Sequence, residues 1–240
     1  MKLRRIINNV IIVILLIIIA LCIFNILSKK YKYYKDNKVY EDLRQIDEIY
    51  RNENITNINE TSTNNKLIDI NSDYKSWINI PNTVIDYPVV QGKDNEFYLK
   101  NNFYKEESIS GSIFIDSRNN INEDKNLVLY GHNMKNGSMF ADINKFKDSD
   151  FFKKGEIKII KNNKEHIYDV FSVFIENSYA IDIKFNFKDN NEFIKYVDFL
   201  KEKSIYKKEI SNYSNIITLY TCSYEFENAR TIVIAMERIT

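Results

Sequence analysis

A mainly β domain, with eight short strands closed into a barrel and a few peripheral helices, is the fold class this sequence predicts. An N-terminal helix leads into it, preceded by a segment able to span a membrane. Three observations support this. Residues 6–27 of the 240-residue chain are uncharged and apolar apart from Asn8, Asn9 and Asn25. Beyond residue 67, short runs rich in β-branched and aromatic residues recur between turn signals. Only two stretches in that region keep a helical period.

The apolar run comes first. Its 22 residues give a helix of roughly 33 Å, enough for a hydrocarbon core of about 30 Å. Lys2, Arg4 and Arg5 precede it, as they would a signal peptide, but Ala20-Leu21-Cys22-Ile23-Phe24 lacks a small-x-small cleavage site. Bulky Leu21 also argues against lipidation at Cys22. Residues 1–28 are therefore expected to be a short tail and an uncleaved, single-pass anchor. Lys29, Lys30, Lys32, Lys35 and Lys38 follow the span, and charge alone would leave the remaining chain on the cytoplasmic side.

Residues 29–66 read as a helical and polar linker. Within 36–50, Val39, Leu43, Ile46 and Ile49 form one helical stripe, whereas 52–66 is polar and without period. The folded domain is predicted over 67–240. Its strands are expected at 77–80, 84–90, 112–115, 126–130, 156–160, 167–175, 216–222 and 231–236. Helices are expected at 138–146, with Met139, Ile143 and Phe146 on one side, and at 191–203, with Phe193, Val197 and Leu200. Closing eight strands into a barrel removes the exposed edges.

Bulk charge excludes one class of partner. Thirty-four basic residues against 33 acidic ones leave a net charge of +1, with no nucleic-acid footprint. Two cysteines, one of them in the apolar run, cannot build a disulfide framework. No compact carboxylate cluster invites calcium, so neither metal nor organic cofactor is expected.

Cys222 is the only cysteine outside the apolar run and ends a strand-like stretch. Strand alternation puts Thr218, Tyr220 and Cys222 on one face and Leu219 and Thr221 on the other. A hairpin centred on Phe226 would pair Cys222 with Arg230, with Cβ atoms about 4.5–5.5 Å apart. The residue types suit acyl transfer. An ordinary free thiol is only about 3% thiolate at pH 7, so cationic neighbours help populate the nucleophile. An imidazole can pair with that thiolate and then protonate a leaving amine, and a guanidinium stays charged to stabilise an oxyanion. His132 ends a strand at a glycine turn, whereas His166 lies beside Asn162-Asn163-Lys164-Glu165, which reads as an exposed hairpin loop.

Thr218-Leu219-Tyr220-Thr221-Cys222 resembles the TLxTC signature of sortases, the transpeptidases that anchor proteins to Gram-positive cell walls. Tyr130-Gly131-His132-Asn133-Met134, Gly111-Ser112-Ile113-Phe114-Ile115-Asp116 and Val84-Ile85-Asp86-Tyr87-Pro88-Val89-Val90-Gln91 are similar to other sortase segments. The likeness spans about 77–236, and its helices are most similar to class B. It implies a sortase-like eight-stranded barrel outside the cytoplasm, opposite to the charge reading. It also implies Cys222 as nucleophile, His132 as acid/base and Arg230 as oxyanion or positioning group. The implied reaction cuts a C-terminal sorting signal after its Thr through a thioacyl intermediate, which a peptidoglycan amine resolves. The implied partners are surface proteins carrying NPQTN-like signals and the peptidoglycan precursor. Tyr220 fills a position where class B members often carry a small residue such as Ser.

Tyr220, Thr221 and Glu225 are the further substrate-binding candidates, although parity turns Thr221 away from Cys222 and an exposed loop carboxylate suffices to explain Glu225. Asp116 reads as a turn residue rather than an orienter of His132. Two other readings compete: a peptidoglycan-directed L,D-transpeptidase-like enzyme, whose Ser-x-Gly-Cys element is absent here, and an inactive anchored binding module.

Overall fold

The computed structural model describes residues 2–56, 62–162, 164–180, 182–210 and 212–239. A single helix, α1 (Lys2–Thr56), carries the apolar run and continues well past it. Its stretch from Arg4 to Ile49 contains a segment long and apolar enough to cross a membrane. Of the predicted polar linker, residues 57–61 lie outside the described residues. On either side of them the backbone is helical, in α1 and in α2 (Ser62–Ile70).

The eight strands are β1 (Tyr74–Asn79), β2 (Asp86–Val90), β3 (Ile113–Ile115), β4 (Asn126–Tyr130), β5 (Glu156–Lys161), β6 (Lys164–Asn177), β7 (Ile216–Cys222) and β8 (Ala229–Glu237). They close into one barrel in the order β1-β2-β3-β4-β7-β8-β6-β5, with β5 returning to β1. Two pairings are parallel, β2 with β3 and β4 with β7. The second of these sets the site. Leu129, Leu219, Val233 and Trp77 fill the interior, and the Trp77 indole N–H donates to Asp86 across β1 and β2 at 2.7 Å. Burial of such side chains is the main favourable term in folding, each contributing roughly 1.5–3 kcal/mol.

Two short helices were not evident in the sequence pattern: α3 (Phe97–Lys100) and α4 (Ser149–Lys153), the latter capped by Asp148. The predicted 138–146 helix is a 3-10 segment, Ala141–Lys147, although Met139, Ile143 and Phe146 are all fully buried as its stripe required. The second predicted helix is α5 (Asn190–Lys203), capped by Asp189. Phe193, Val197 and Leu200 on α5 cover Ile216, Ile232 and Ile234 on the outer face of β7 and β8, a second core. Ile216, Ile232 and Ile234 are buried under α5, whereas Cys222 and Arg230, at the other end of the β7–β8 pair, are half-buried.

Helix α1 docks on the barrel through a stripe turned slightly from the predicted one. Tyr40 and Leu43 are buried, Val39 and Ile46 partly so, and Ile49 faces outward. The Tyr40 ring meets Tyr87 edge-on at 5.2 Å between centroids, and Arg44 donates to the Asp86 carbonyl at 3.3 Å. Removing residues 1–28 leaves this contact intact and is expected to give a soluble, folded chain. Removing residues 1–47 strips Tyr40 and Leu43 from the barrel, about 3 kcal/mol or more of burial, and is expected to lower the Tm by about 10 °C. Thermal unfolding of the two truncations, compared side by side, checks this.

Candidate active site

Three side chains reach one level of the sheet through two registers. Antiparallel pairing of β7 with β8 sets Cys222 opposite Arg230. Parallel pairing of β4 with β7 sets Tyr130 beside Tyr220. That register, continued two residues, brings His132 level with Cys222. The continuation is bonded as well as implied. Gly131 N–H donates to Tyr220 O at 3.3 Å, the Thr221 hydroxyl to Gly131 O at 2.6 Å, and the Asn133 side-chain amide to Cys222 O at 2.9 Å. Histidine, cysteine and arginine thus sit on three adjacent chain segments at the open end of the barrel.

Gly131 is required for the turn. A Cβ there would lie 2.5 Å from Ile113 Cδ1 and 2.8 Å from the Phe140 ring, so only glycine lets the chain leave β4 this tightly. The His132 carbonyl is held by Phe140 N–H at 2.9 Å. Its Nε2 lies 2.7 Å from the Leu99 carbonyl. A carbonyl only accepts, so Nε2 carries a hydrogen, and Nδ1 is the ring nitrogen left to exchange a proton.

Cys222 is unpaired and half-buried. Arg230 is half-buried too, and its guanidinium donates to Ala229 O at 3.0 Å. Burial pushes the Tyr220 hydroxyl up, opposed by the guanidinium of Arg230 beside it. The Tyr220 ring packs edge-on against Tyr130 at 5.2 Å. Below this level on the same outer face, Thr218, Ile232, Phe174 and Tyr196 line a groove of about 50 Å³, with Glu176 at its upper end. Glu176 is the register partner of Arg230 on β6, so that end of the groove lies at the level of Cys222, although Cys222 and Tyr220 do not line it.

The three substrate-contact candidates part company. Tyr220 lies on the outer face with Cys222. Thr221 is buried, with its hydroxyl spent on Gly131. That bond braces the strand end that carries His132. Glu225 pairs with Lys147 at 2.5 Å and accepts from the Ser223 hydroxyl. Lys147 also donates to Ser223 at 3.0 Å, and Ser223 meets Thr231, whose hydroxyl donates to Asn144 at 2.9 Å. This network pins the β7–β8 loop to the 3-10 segment. Asp116 is fully buried and takes Arg118 through both carboxylate oxygens, at 2.9 and 2.8 Å, together with the Tyr130 hydroxyl at 2.8 Å. It is a turn residue and does not touch His132. His166 pairs with Glu237 at 2.7 Å between β6 and β8, away from Cys222.

Asn133, Lys147 and the Leu99 carbonyl were not foreseen from sequence. Asn133 follows the histidine directly, so an amide within reach of the strand that ends at Cys222 was a usable cue. Lys147 reaches Glu225 only through the tertiary fold, and Leu99 acts through its backbone.

Burial pushes the Glu225 carboxyl up, but Lys147 and Ser223 outweigh it and hold it down at about 2. A carboxylate held below its unfolded value of about 4.3 stabilises the native loop above that pH. The contribution is lost as pH falls from there toward about 2. Hydrogen exchange of the 223–228 amides, corrected for intrinsic rates, is expected to quicken over that window. In Lys147→Met it is expected to be fast already at pH 7.

Among the described residues, no group of three or more His, Cys, Asp or Glu side chains is placed to hold a metal ion.

Residues 78–238 match the family model for a sortase domain. Sortase B of Listeria monocytogenes is 37% identical over 174 residues, 70% of each chain. Sortase B of Staphylococcus aureus is 33% identical over 176 residues, 70% of this chain and 72% of its own. Among solved structures, a mutant form of Clostridium perfringens sortase B superposes with a TM-score of 0.79 at 40% identity, covering 85% of this chain and 99% of that one. A Staphylococcus aureus sortase B–substrate complex superposes at 0.77 with 27% identity, covering 85% and 96%. A closed barrel with a cysteine at a strand end and these matches define a cysteine transpeptidase fold, and the chain belongs to the sortase family. Its relatives are sortase B enzymes, which sets it in class B.

Proposed function

We propose that this sortase cuts a C-terminal sorting signal of a secreted protein after its Thr and joins the new carboxyl end to an amine of the peptidoglycan precursor. The observation that carries the reading is the convergence of His132, Cys222 and Arg230 at one level of three neighbouring segments. The Cys222 thiol gives its proton to His132, forming the thiolate and the imidazolium, and the sulfur then adds to the Thr carbonyl carbon. The oxygen takes the negative charge and is stabilised by the Arg230 guanidinium. As the carbonyl re-forms, the C–N bond breaks and the imidazolium of His132 gives its proton to the leaving amine. An incoming amine then adds to the thioester, His132 takes its proton, and the C–S bond breaks to restore Cys222.

Tyr220 and the groove beneath it serve as wall for the signal. An NPQTN-like sequence is the first candidate, and the bulk of Tyr220 predicts a preference that differs from that of relatives with a small residue there. Residues 1–28 anchor the enzyme, 29–66 link the anchor to the barrel, and 67–240 carry catalysis on the outer side of the membrane. Secreted clients and wall precursors are found there, and a single span delivers the barrel to them.

The test is to profile a library of pentapeptide signals and identify the adduct on Cys222 by mass spectrometry. A signal peptide truncated after Thr is the expected adduct. A muropeptide stem in its place, or no adduct at all, would refute the reading.

A further inference from the structure

The anchor helix is bonded to the imidazole through a single loop. Helix α3 and the residue after it present four consecutive carbonyls, from Tyr98 to Asn101. Three of them are taken by the 108–112 loop: Ser112 N–H donates to Tyr98 O at 2.9 Å, Ser108 N–H to Lys100 O at 2.8 Å, and the Ser112 hydroxyl to Asn101 O at 2.9 Å. The fourth, Leu99 O, is the acceptor for His132 Nε2. Gly111 presses on this group with a φ of +58°, and a Cβ there would lie 2.6 Å from Tyr98 O and 2.8 Å from Leu99 O. The carbonyl that holds the histidine is therefore set by the loop packed behind it.

Helix α1 in turn holds that loop. The Asp36 carboxylate accepts Ser110 N–H at 3.1 Å. The Tyr40 hydroxyl donates to Gly111 O and lies 3.1 Å from the Ser112 hydroxyl. Both side chains are buried at 5% exposure or less, so neither bond competes with bulk water. Docking of α1 alone needs only its apolar stripe. Two buried polar groups aimed at the loop behind Leu99 do more than dock it.

We propose that Asp36 and Tyr40 are positioning residues which, through the 108–112 loop and the Leu99 carbonyl, hold the His132 imidazole in register with Cys222. The proposal rests on the catalytic reading given above for its effect on rate, but not for its geometry. It makes the helix that leaves the membrane part of the catalytic frame.

The test uses the full-length chain in detergent micelles, labelled with ¹⁵N-histidine. There are only two histidines, and His166, bonded to Glu237, is the internal control. The His132 Nε2–H proton is expected as a protected, downfield resonance. In Asp36→Ala/Tyr40→Phe it is expected to exchange into solvent while the His166 signal stays in place. With the peptide selected by library profiling, kcat is expected to fall about tenfold with KM within about twofold, as for a misplaced catalytic group. Asp36→Asn, which keeps an acceptor for Ser110, is expected to retain both. Gly111→Ala should lose the resonance as well, because its Cβ displaces Leu99 O. An unchanged His132 resonance in the folded double variant overturns the proposal, whatever its activity. If no peptide is cleaved but the resonance is lost as expected, the positioning stands and the assigned reaction falls.

Discussion

Cys222→Ala is expected to abolish peptide cleavage and thioacyl formation, lowering turnover by at least about 10⁴-fold, as removal of a covalent nucleophile does in enzymes whose triad acts as a unit. The remaining guanidinium and imidazole would still bind the peptide, but no other thiol stands at that end of the barrel, since Cys22 lies in the apolar run. The side chain is half-buried at the end of β7, beyond the α5 cover, so its loss costs little packing and the Tm should stay within about 2 °C. That separation matters for interpretation. A folded Cys222→Ala chain that retains cleavage would remove the sulfur from the reaction, and a cell whose phenotype is unchanged by it would favour an anchored binding module. Mass spectrometry of the wild-type chain with its selected peptide, against the variant, decides the matter in one comparison.

The barrel was legible because its strands are short, apolar and bounded by turn residues. The runs at 126–130 and 216–222 coincide with β4 and β7 as observed, and period-2 alternation was enough to place Cys222 and Thr221 on opposite faces. The level of Arg230 followed from hairpin symmetry alone. The remainder depended on contacts that no local pattern carries. β4 and β7 pair in parallel between residues 90 apart in the chain, so nothing in the sequence set His132 beside Cys222 except the resemblance to a family. The stripe on α1 was read from its most apolar residues, but the structure buries Asp36 and Tyr40 and leaves Ile49 exposed. Their value is in hydrogen bonds to the 108–112 loop, which hydrophobic periodicity does not register. Glu225 shows the converse. As an exposed loop carboxylate it invited a role in binding, and a lysine 78 residues away in the chain claims it instead.

Arg230→Lys is expected to lower kcat/KM by about 10²-fold, the loss of roughly 2.7 kcal/mol that follows removal of one oxyanion donor. Charge is preserved in this variant, so what is tested is the fork. The guanidinium spends one N–H on Ala229 O and keeps its remaining donors in a fixed plane beside Tyr220 and across from Cys222. A lysine ammonium carries three donors on a flexible stem and is more strongly hydrated. It would have to choose between the Ala229 carbonyl and the oxyanion. Most of the effect should fall on kcat, because negative charge on the oxygen exists only in the tetrahedral state. Arg230→Ala should cost more, since it removes the charge as well as the geometry. If Arg230→Lys works at near wild-type kcat/KM, the arginine supplies only long-range charge to the thiolate, and stabilisation of the oxyanion must come from backbone N–H groups near Cys222.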